Sequence, residues 1–142
     1  MPAKRSREGF TEEERAAMRE RVKELRRPAP GQVDGEHAVL EAIAALPEPS
    51  RRLATRLHAV IRASAPALVP RTWYGMPAYS KEGEVVCFFR PKEKFKERYL
   101  TIGFNDAAHL DEGHLWPVAF ALTELSATDE SKIAELVRRA AA

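Results

Sequence analysis

Four sets of side chains in this sequence have types and spacing that suit chemistry. Asp106, His109, Asp111, Glu112 and His114 gather carboxylates and imidazoles within nine residues, and oxygen and nitrogen donors of this kind suit a metal ion. The same stretch also reads as a solvated loop, because Asn105-Asp106 resembles a helix start and Gly113 ends a single turn. Residues 90–98 carry Arg90, Lys92, Lys94, Lys96 and Arg98 with two carboxylates around Phe95. Cations flanking an aromatic can hold a phosphate backbone and stack a base; they equally make a charged hairpin tip that blocks edge pairing. Trp73, Tyr74, Met76 and Tyr79 surround Gly75 and Pro77. Gly75 permits a backbone conformation closed to other residues and Pro77 holds Met76 extended, so the sequence predicts a sharp kink that displays aromatics. That kink either plugs the end of a core or forms the lip of a ligand pocket. Cys87, set among Val86, Phe88 and Phe89, reads as a buried, inert thiol. His37 and His58, each on a helix beside apolar neighbours, read as surface or boundary residues rather than bases. No nucleophile elbow, phosphate loop or zinc-spaced His/Cys set occurs in the sequence. Enzymatic activity is therefore not the expectation.

The elements that must position these groups follow from periodicity. Thr11-Glu12-Glu13-Glu14 has capping-box spacing and predicts a helix from there to about Arg27, where Pro28 ends it. Its apolar stripe is thin: Met18, Val22 and Leu25. Such a helix docks weakly or awaits a partner. Residues 28–35 read as a Pro/Gly linker. Val39, Leu40, Ile43 and Leu46 predict a second helix ending at Pro47. Leu53, Leu57, Val60 and Ile61 predict a third after Pro49-Ser50, closed by Pro66 and Pro70. The period then changes to two. Strands are expected over residues 85–90, 99–104 and 118–123, with a shorter one near 71–74 and a hairpin turn at residues 81–84. A final helix is expected after Thr128, with Ile133, Leu136, Val137 and Ala140 buried. In the second of these strands Leu100, Ile102 and Phe104 share one face. The opposite face of the sheet collects Thr101, Gly103, Ala119, Ala121 and Thr123, a floor of small side chains with Tyr99 and Phe88 as walls. That floor suits a small ligand or a protein partner; it also suits a partly solvated sheet.

Strands in one uninterrupted run, flanked by helices, predict an α+β two-layer sandwich: an antiparallel sheet with helices packed on one face, plus an extra N-terminal helix. The chain of 142 residues, 44% hydrophobic and 31% charged, fits one globular domain. Residues 1–27 hold nine Lys/Arg against six Asp/Glu, and the remainder fourteen against fifteen. The sequence thus divides into a basic extension over 1–35 and a compact domain over 36–142. A single cysteine precludes an internal disulfide and fits a reducing compartment. No membrane-length apolar run and no secretory signal are present, which makes the cytoplasm the expected location and a membrane an unexpected partner.

The string Trp73-Tyr74-Gly75-Met76-Pro77-Ala78-Tyr79, the Glu84-Val85-Val86-Cys87-Phe88-Phe89 strand, Thr101-Ile102-Gly103-Phe104 and the helix over residues 129–137 resemble the YdhG-like family. This is a bacterial domain family of unknown function with a frataxin-like fold. The resemblance spans roughly residues 36–142 and implies a chaperone-like or ligand-binding protein. It also admits iron as a cargo, since frataxins carry iron on an acidic ridge of the first helix and edge strand. Here the equivalent ridge offers Glu36, Glu41 and Glu48, and the next helix is rich in arginine. The expected activity is thus non-enzymatic binding of a small molecule at Trp73, Tyr74, Met76, Tyr79, Phe88, Tyr99 and Thr101. Two alternatives stand beside it: iron handling, and a nucleic-acid or protein interaction through the basic N-terminal helix and residues 90–98. No cofactor other than possible iron is implied.

Overall fold

The computed structural model describes residues 11–26 and 32–142. Helix α1 (Glu12–Arg26) begins as its sequence predicts. The Glu14 amide donates to Thr11 Oγ1 at 3.1 Å, and the Thr11 amide donates to Glu14 Oε1 at 2.9 Å. The two reciprocal bonds satisfy amides that a helix start otherwise leaves open. The linker expected over residues 28–31 lies outside the described residues. Residues 32–35, expected in the same linker, instead open helix α2 (Gln32–Ala44). The reason is Gly35, whose missing side chain serves close packing rather than a turn. A Cβ there would stand 2.0 Å from the Pro70 carbonyl oxygen, so the helix lies directly on a strand backbone. Val39 and Ile43 of α2 are buried as expected, but Leu40 is 46% exposed and sits outside the stripe.

Helix α3 (Ser50–Ser64) buries Ala54, Leu57, His58 and Ile61, the i, i+3, i+4, i+7 series of one helical face. Five strands follow: β1 (Val69–Trp73), β2 (Met76–Lys81), β3 (Glu84–Arg90), β4 (Leu100–Phe104) and β5 (Ala119–Leu122). They form one antiparallel meander in the order β1-β2-β3-β4-β5. Helix α4 (Ala127–Ala141) closes the chain. Its cap is Ser126, which accepts from the Asp129 amide while Asp129 Oδ2 accepts from the Ser126 amide, so the helix starts slightly earlier than Thr128 suggested.

Strand β2 is the element the sequence hid, because Pro77 argues against an interior strand. Pairing to β3 begins only at Ala78, so Pro77 owes β3 no N–H. The expected kink is a two-residue hairpin turn instead. Tyr74 and Gly75 have φ of 52° and 77°, the left-handed pair that a tight hairpin with right-twisted strands requires. Glu82 and Gly83, at 53° and 83°, repeat it between β2 and β3, as the turn at residues 81–84 predicts.

These turns fix which side chains share a face. Pro70 stands beside Tyr79, Tyr79 beside Cys87, and Cys87 beside Phe104; Phe89, Ile102 and Phe120 form the next row. This face meets Val39 and Ile43 of α2, Leu57 and Ile61 of α3, and Ile133 and Val137 of α4 in one core. Each fully buried aliphatic or aromatic side chain there contributes about 1.5–3 kcal/mol of gross burial energy, mostly offset by chain entropy. A bulge between Tyr79 and Ser80 leaves Val86 without a partner on β2, and the Val86 carbonyl accepts from the Asn105 amide at 3.0 Å. The architecture is therefore α+β, with helices packed against an open antiparallel sheet.

On the opposite face the Phe88 ring lies over Gly103, where a Cβ would come within 2.3 Å of the ring. Trp73 packs edge-on against Phe88 at 5.3 Å and holds it there. Gly103→Ala should therefore displace the ring and cost about 1–3 kcal/mol in urea unfolding. Combining it with Phe88→Leu should recover part of that loss, and equal losses in the single and double variants would count against this packing.

Candidate functional site

An open groove of about 840 Å³ lies where β1 and the start of β3 meet α1 and the β4–β5 connection. Both tryptophans of the chain line it. Trp73 comes from the end of β1, and Trp116 from the long connection between β4 and β5. Arg71 of β1 and Arg21 of α1 stand on the β1 side; Glu84 at the start of β3, with Asp106 and Asp111 of the β4–β5 connection, supplies carboxylates on the other. The β1 side of the groove thus brings guanidinium groups and one indole, and the opposite side carboxylates and the second indole.

Strand geometry explains the basic wall. Arg71 and Trp73 are two apart on β1, so both project from the face opposite Pro70. Arg71 donates through Nε to the Thr72 carbonyl oxygen at 3.1 Å, and no carboxylate among the described residues pairs with it. Tyr74, held at positive φ by the hairpin, packs edge-on against Trp73 at 5.4 Å and receives the Arg21 guanidinium 5.3 Å from its ring centre. Helix α1 is docked by this contact, by burial of Ala17 and by the Lys96–Glu13 ion pair at 3.1 Å.

Of the residues singled out in the sequence, Trp73, Tyr74 and Phe88 do come together on this face. Thr101 is on it too, beside Ala121 of β5 and Arg90 of β3. Met76 is buried. Tyr99 lies under Arg98, 5.5 Å from its ring centre, away from Trp73. Tyr79 is the exception: one residue past Ala78, it faces the helices and is wholly buried. It belongs to the core and cannot line the groove. The small-residue floor is only partly open, since Phe88 covers Gly103 while Ala119 and Ala121 are exposed.

Asp106, His109, Asp111, Glu112 and His114 do not converge. Among the described residues no three His, Cys, Asp or Glu side chains are gathered as a metal would need. His109 turns its Nδ1 to the Ala142 carbonyl, and its amide donates to the Ala140 carbonyl at 3.0 Å. It fastens the β4–β5 connection to the end of α4. Asp106 and Asp111 reach the groove instead. The acidic ridge is likewise engaged one residue at a time: Glu41 with His37 at 3.5 Å, Glu48 with Arg51 at 3.1 Å, and Glu36 inside the core edge.

Much of the charge in residues 90–98 is satisfied internally. Arg90 grips Glu97 through two nitrogens at 2.8 and 3.2 Å and lies 5.9 Å from the Phe95 ring centre. Glu93 accepts from the Ser50 hydroxyl at 2.8 Å, tying the loop to the start of α3. Lys94 stands against the Gly75 turn. A second groove of about 640 Å³ runs between α1, α2 and this loop, but no aromatic or histidine among the described residues lines it.

The sequence made His58 a surface or boundary residue; it is 6% exposed. Its Nε2 lies 2.7 Å from Glu36 Oε2, and its Nδ1 lies 2.8 Å from the Tyr79 hydroxyl. The ionised carboxylate can only accept, so Nε2 carries a proton toward Glu36, and Nδ1 is hydrogen-bonded to the Tyr79 hydroxyl. Arg62 completes the chain, its Nε 3.2 Å from Glu36 Oε1 in ion-pair rather than hydrogen-bond geometry, and its NH1 donating to the Leu68 carbonyl at 2.8 Å. The correction has a physical reason. His58 is one turn from Ala54 and Ile61 on the buried face of α3, and two polar partners make its burial tolerable. Its helical spacing was a readable signal; the partners, distant in sequence, were not.

No family model, curated protein or solved structure matches this chain.

Burial pushes the Cys87 thiol up to about 12 from 9.0. Burial also drives the Tyr79 hydroxyl well above the ordinary phenol range, with Cys87 and Glu36 adding to it. Both groups keep protons in the folded state that the unfolded chain releases. Stability is therefore unaffected by Cys87 below pH 9.0 and falls as pH rises from there to about 12, at a slope approaching about 1.4 kcal/mol per pH unit. Urea unfolding at stepped pH should show this decline, and Cys87→Ala should flatten its early part. An identical profile in the variant would refute the assignment.

Proposed function

We propose that the chain binds a small zwitterionic ligand with a flat apolar middle, without converting it, in the groove between Trp73 and Trp116. The observation that carries this reading is the groove itself: two indoles, with Arg71, which has no carboxylate partner among the described residues, on one side and Asp106 and Asp111 on the other. A guanidinium with open donors favours an anionic group, the carboxylates favour a cationic one, and indole faces favour a flat apolar body. Binding without catalysis is supported by what faces the groove. Cys87 and Tyr79, the side chains closest to nucleophile chemistry, point into the helical core and are buried.

A YdhG-like, cytoplasmic assignment is part of this proposal and rests on the motif resemblance over residues 36–142. Iron handling has less support, because the described carboxylates are held apart. Nucleic-acid binding has less as well, because Arg90 and Lys96 are already paired within the chain. No helix among the described residues is long and apolar enough to cross a membrane.

Because both tryptophans line the groove, intrinsic fluorescence reports on it directly. Phenylalanine, tyrosine and their dipeptide should quench it on titration, while phenylacetate and phenethylamine, each lacking one charge, should bind more weakly. Arg71→Gln should lower affinity for the zwitterions about tenfold or more, as expected for loss of a charged hydrogen bond. Absence of any quenching, or equal affinity in Arg71→Gln, would reject the reading.

A further inference from the structure

The sheet has two edges, and they are treated differently. The β1 edge contains Pro70, which has no N–H to offer, and has α1 and α2 against it. The β5 edge has no such protection. Residues 117–123 (Pro117, Val118, Ala119, Phe120, Ala121, Leu122 and Thr123) carry no charge. The β4–β5 register runs without a bulge. Charged side chains, bulges and covering segments are the usual means by which a protein keeps an edge strand from pairing.

The backbone at this edge is turned outward in a definite way. The Phe104 amide donates to the Val118 carbonyl at 2.8 Å, and antiparallel pairs alternate between bonded and non-bonded positions. Val118, Phe120 and Leu122 therefore direct their backbone groups to β4, whereas Ala119 and Ala121 direct theirs away from the sheet. Among the described residues no other backbone bond satisfies Ala119 or Ala121. The surrounding surface exposes Leu115 at 92% and Val118 at 53%, with Asp129 and Lys132 of α4 beside the strand and the Lys132 ammonium 5.8 Å from the Phe120 ring centre.

We infer that the chain forms a two-fold dimer in which β5 pairs antiparallel with β5 of a second copy. Self-complementarity selects this occupant over an unrelated strand. With the axis beside Ala121, its outward N–H and C=O meet those of the second copy's Ala121. Phe120 then falls beside the second copy's Leu122, and Leu122 beside its Phe120, an aromatic–aliphatic cross-strand pair formed twice. Both side chains border a cleft of about 130 Å³ against Ile133 and Leu136 of α4, with Asp129 and Lys132 at its rim, which the second copy would extend. The small side chains of Ala119 and Ala121 leave the opposite face free of collision.

The helix layer is self-complementary as well. Helix α4 is acidic in its first turn and basic in its last. Glu130 is engaged toward α3 by Arg56 at 2.7 Å, while Asp129, Lys132 and Leu136 border the β5 cleft; helical spacing continues that stripe to Arg139. The two-fold sets two copies of α4 antiparallel, which brings the acidic end of each toward the basic end of the other. Opposite dipoles and opposite charges then face each other.

Sedimentation velocity of the full chain over a micromolar concentration series tests the proposal, together with exchange of the Ala121 amide. The expected result is a reversible dimer with that amide protected. Ala121→Pro removes an outward N–H that the chain's own sheet does not use. Ala119→Lys adds a charge to an exposed edge position. Each should weaken the dimer at least about tenfold and leave circular dichroism unchanged. If Ala121→Pro fails to fold, Ala119→Lys decides. A wild-type chain that stays monomeric throughout, or a dimer that survives Ala119→Lys undiminished, overturns the inference.

Discussion

The register of the β-meander governs everything else in this molecule. Side chains on a strand alternate with a period of two, so a slip of one residue would send every core side chain to the other face. Two tight turns prevent that slip. Tyr74-Gly75 and Glu82-Gly83, all at positive φ, join β1, β2 and β3 with no residue to spare. They commit Pro70, Tyr79 and Cys87 to the helices and Arg71, Trp73 and Phe88 to the opposite face. Tyr74 is a bulky residue in a conformation that disfavours it, and the ring contacts with Trp73 and Arg21 hold it in place. The turn that sets the register follows directly on Trp73, which lines the groove.

A second constraint acts inside the core. Glu36, His58, Arg62 and Tyr79 come from α2, α3 and β2, and they are hydrogen-bonded or ion-paired in series across the junction of those elements. His58 and Tyr79 are buried, while Glu36 and Arg62 are about a third exposed; the buried pair tolerates little displacement, since a lost partner leaves the other unsatisfied. The chain therefore fixes how α2 and α3 sit on β2, which in turn keeps the β1 edge beneath Gly35. The groove benefits indirectly, because Arg71 and Trp73 of that same strand line it.

What was legible in the sequence was whatever depends on local period and local capping. The Thr11–Glu14 box, the stripes of α3 and α4, strands β3, β4 and β5, and the 81–84 turn all follow from neighbours in sequence. Three features escaped for physical reasons. Strand β2 contains Pro77, and only the late start of its pairing with β3 makes that proline tolerable. Gly35 looked like a hinge because its close approach to Pro70 is visible only in three dimensions. His58 shared the buried helical spacing, but Glu36 and Tyr79, 22 and 21 residues away, supply the partners that permit its burial. For the site, the aromatic string led to Trp73, which lines the groove, while Tyr79 fell on the wrong side of the alternation. Trp116 and Arg71 lay outside every motif and join the site through topology alone. The clustered Asp and His residues near residue 110 were close in sequence, yet their loop spreads them between the groove and the end of α4.

The register can be tested directly by nuclear Overhauser contacts among the aromatic rings, read together with the Gly103 Hα shifts. With the register described, Trp73 contacts Phe88, Tyr79 contacts His58 and Phe89, and the Phe88 ring current moves a Gly103 Hα strongly upfield. Contacts from Trp73 to Tyr79 or Phe89, with Gly103 at ordinary shifts, would mean that β1 and β2 pair one residue out of step. The groove would then not exist as described.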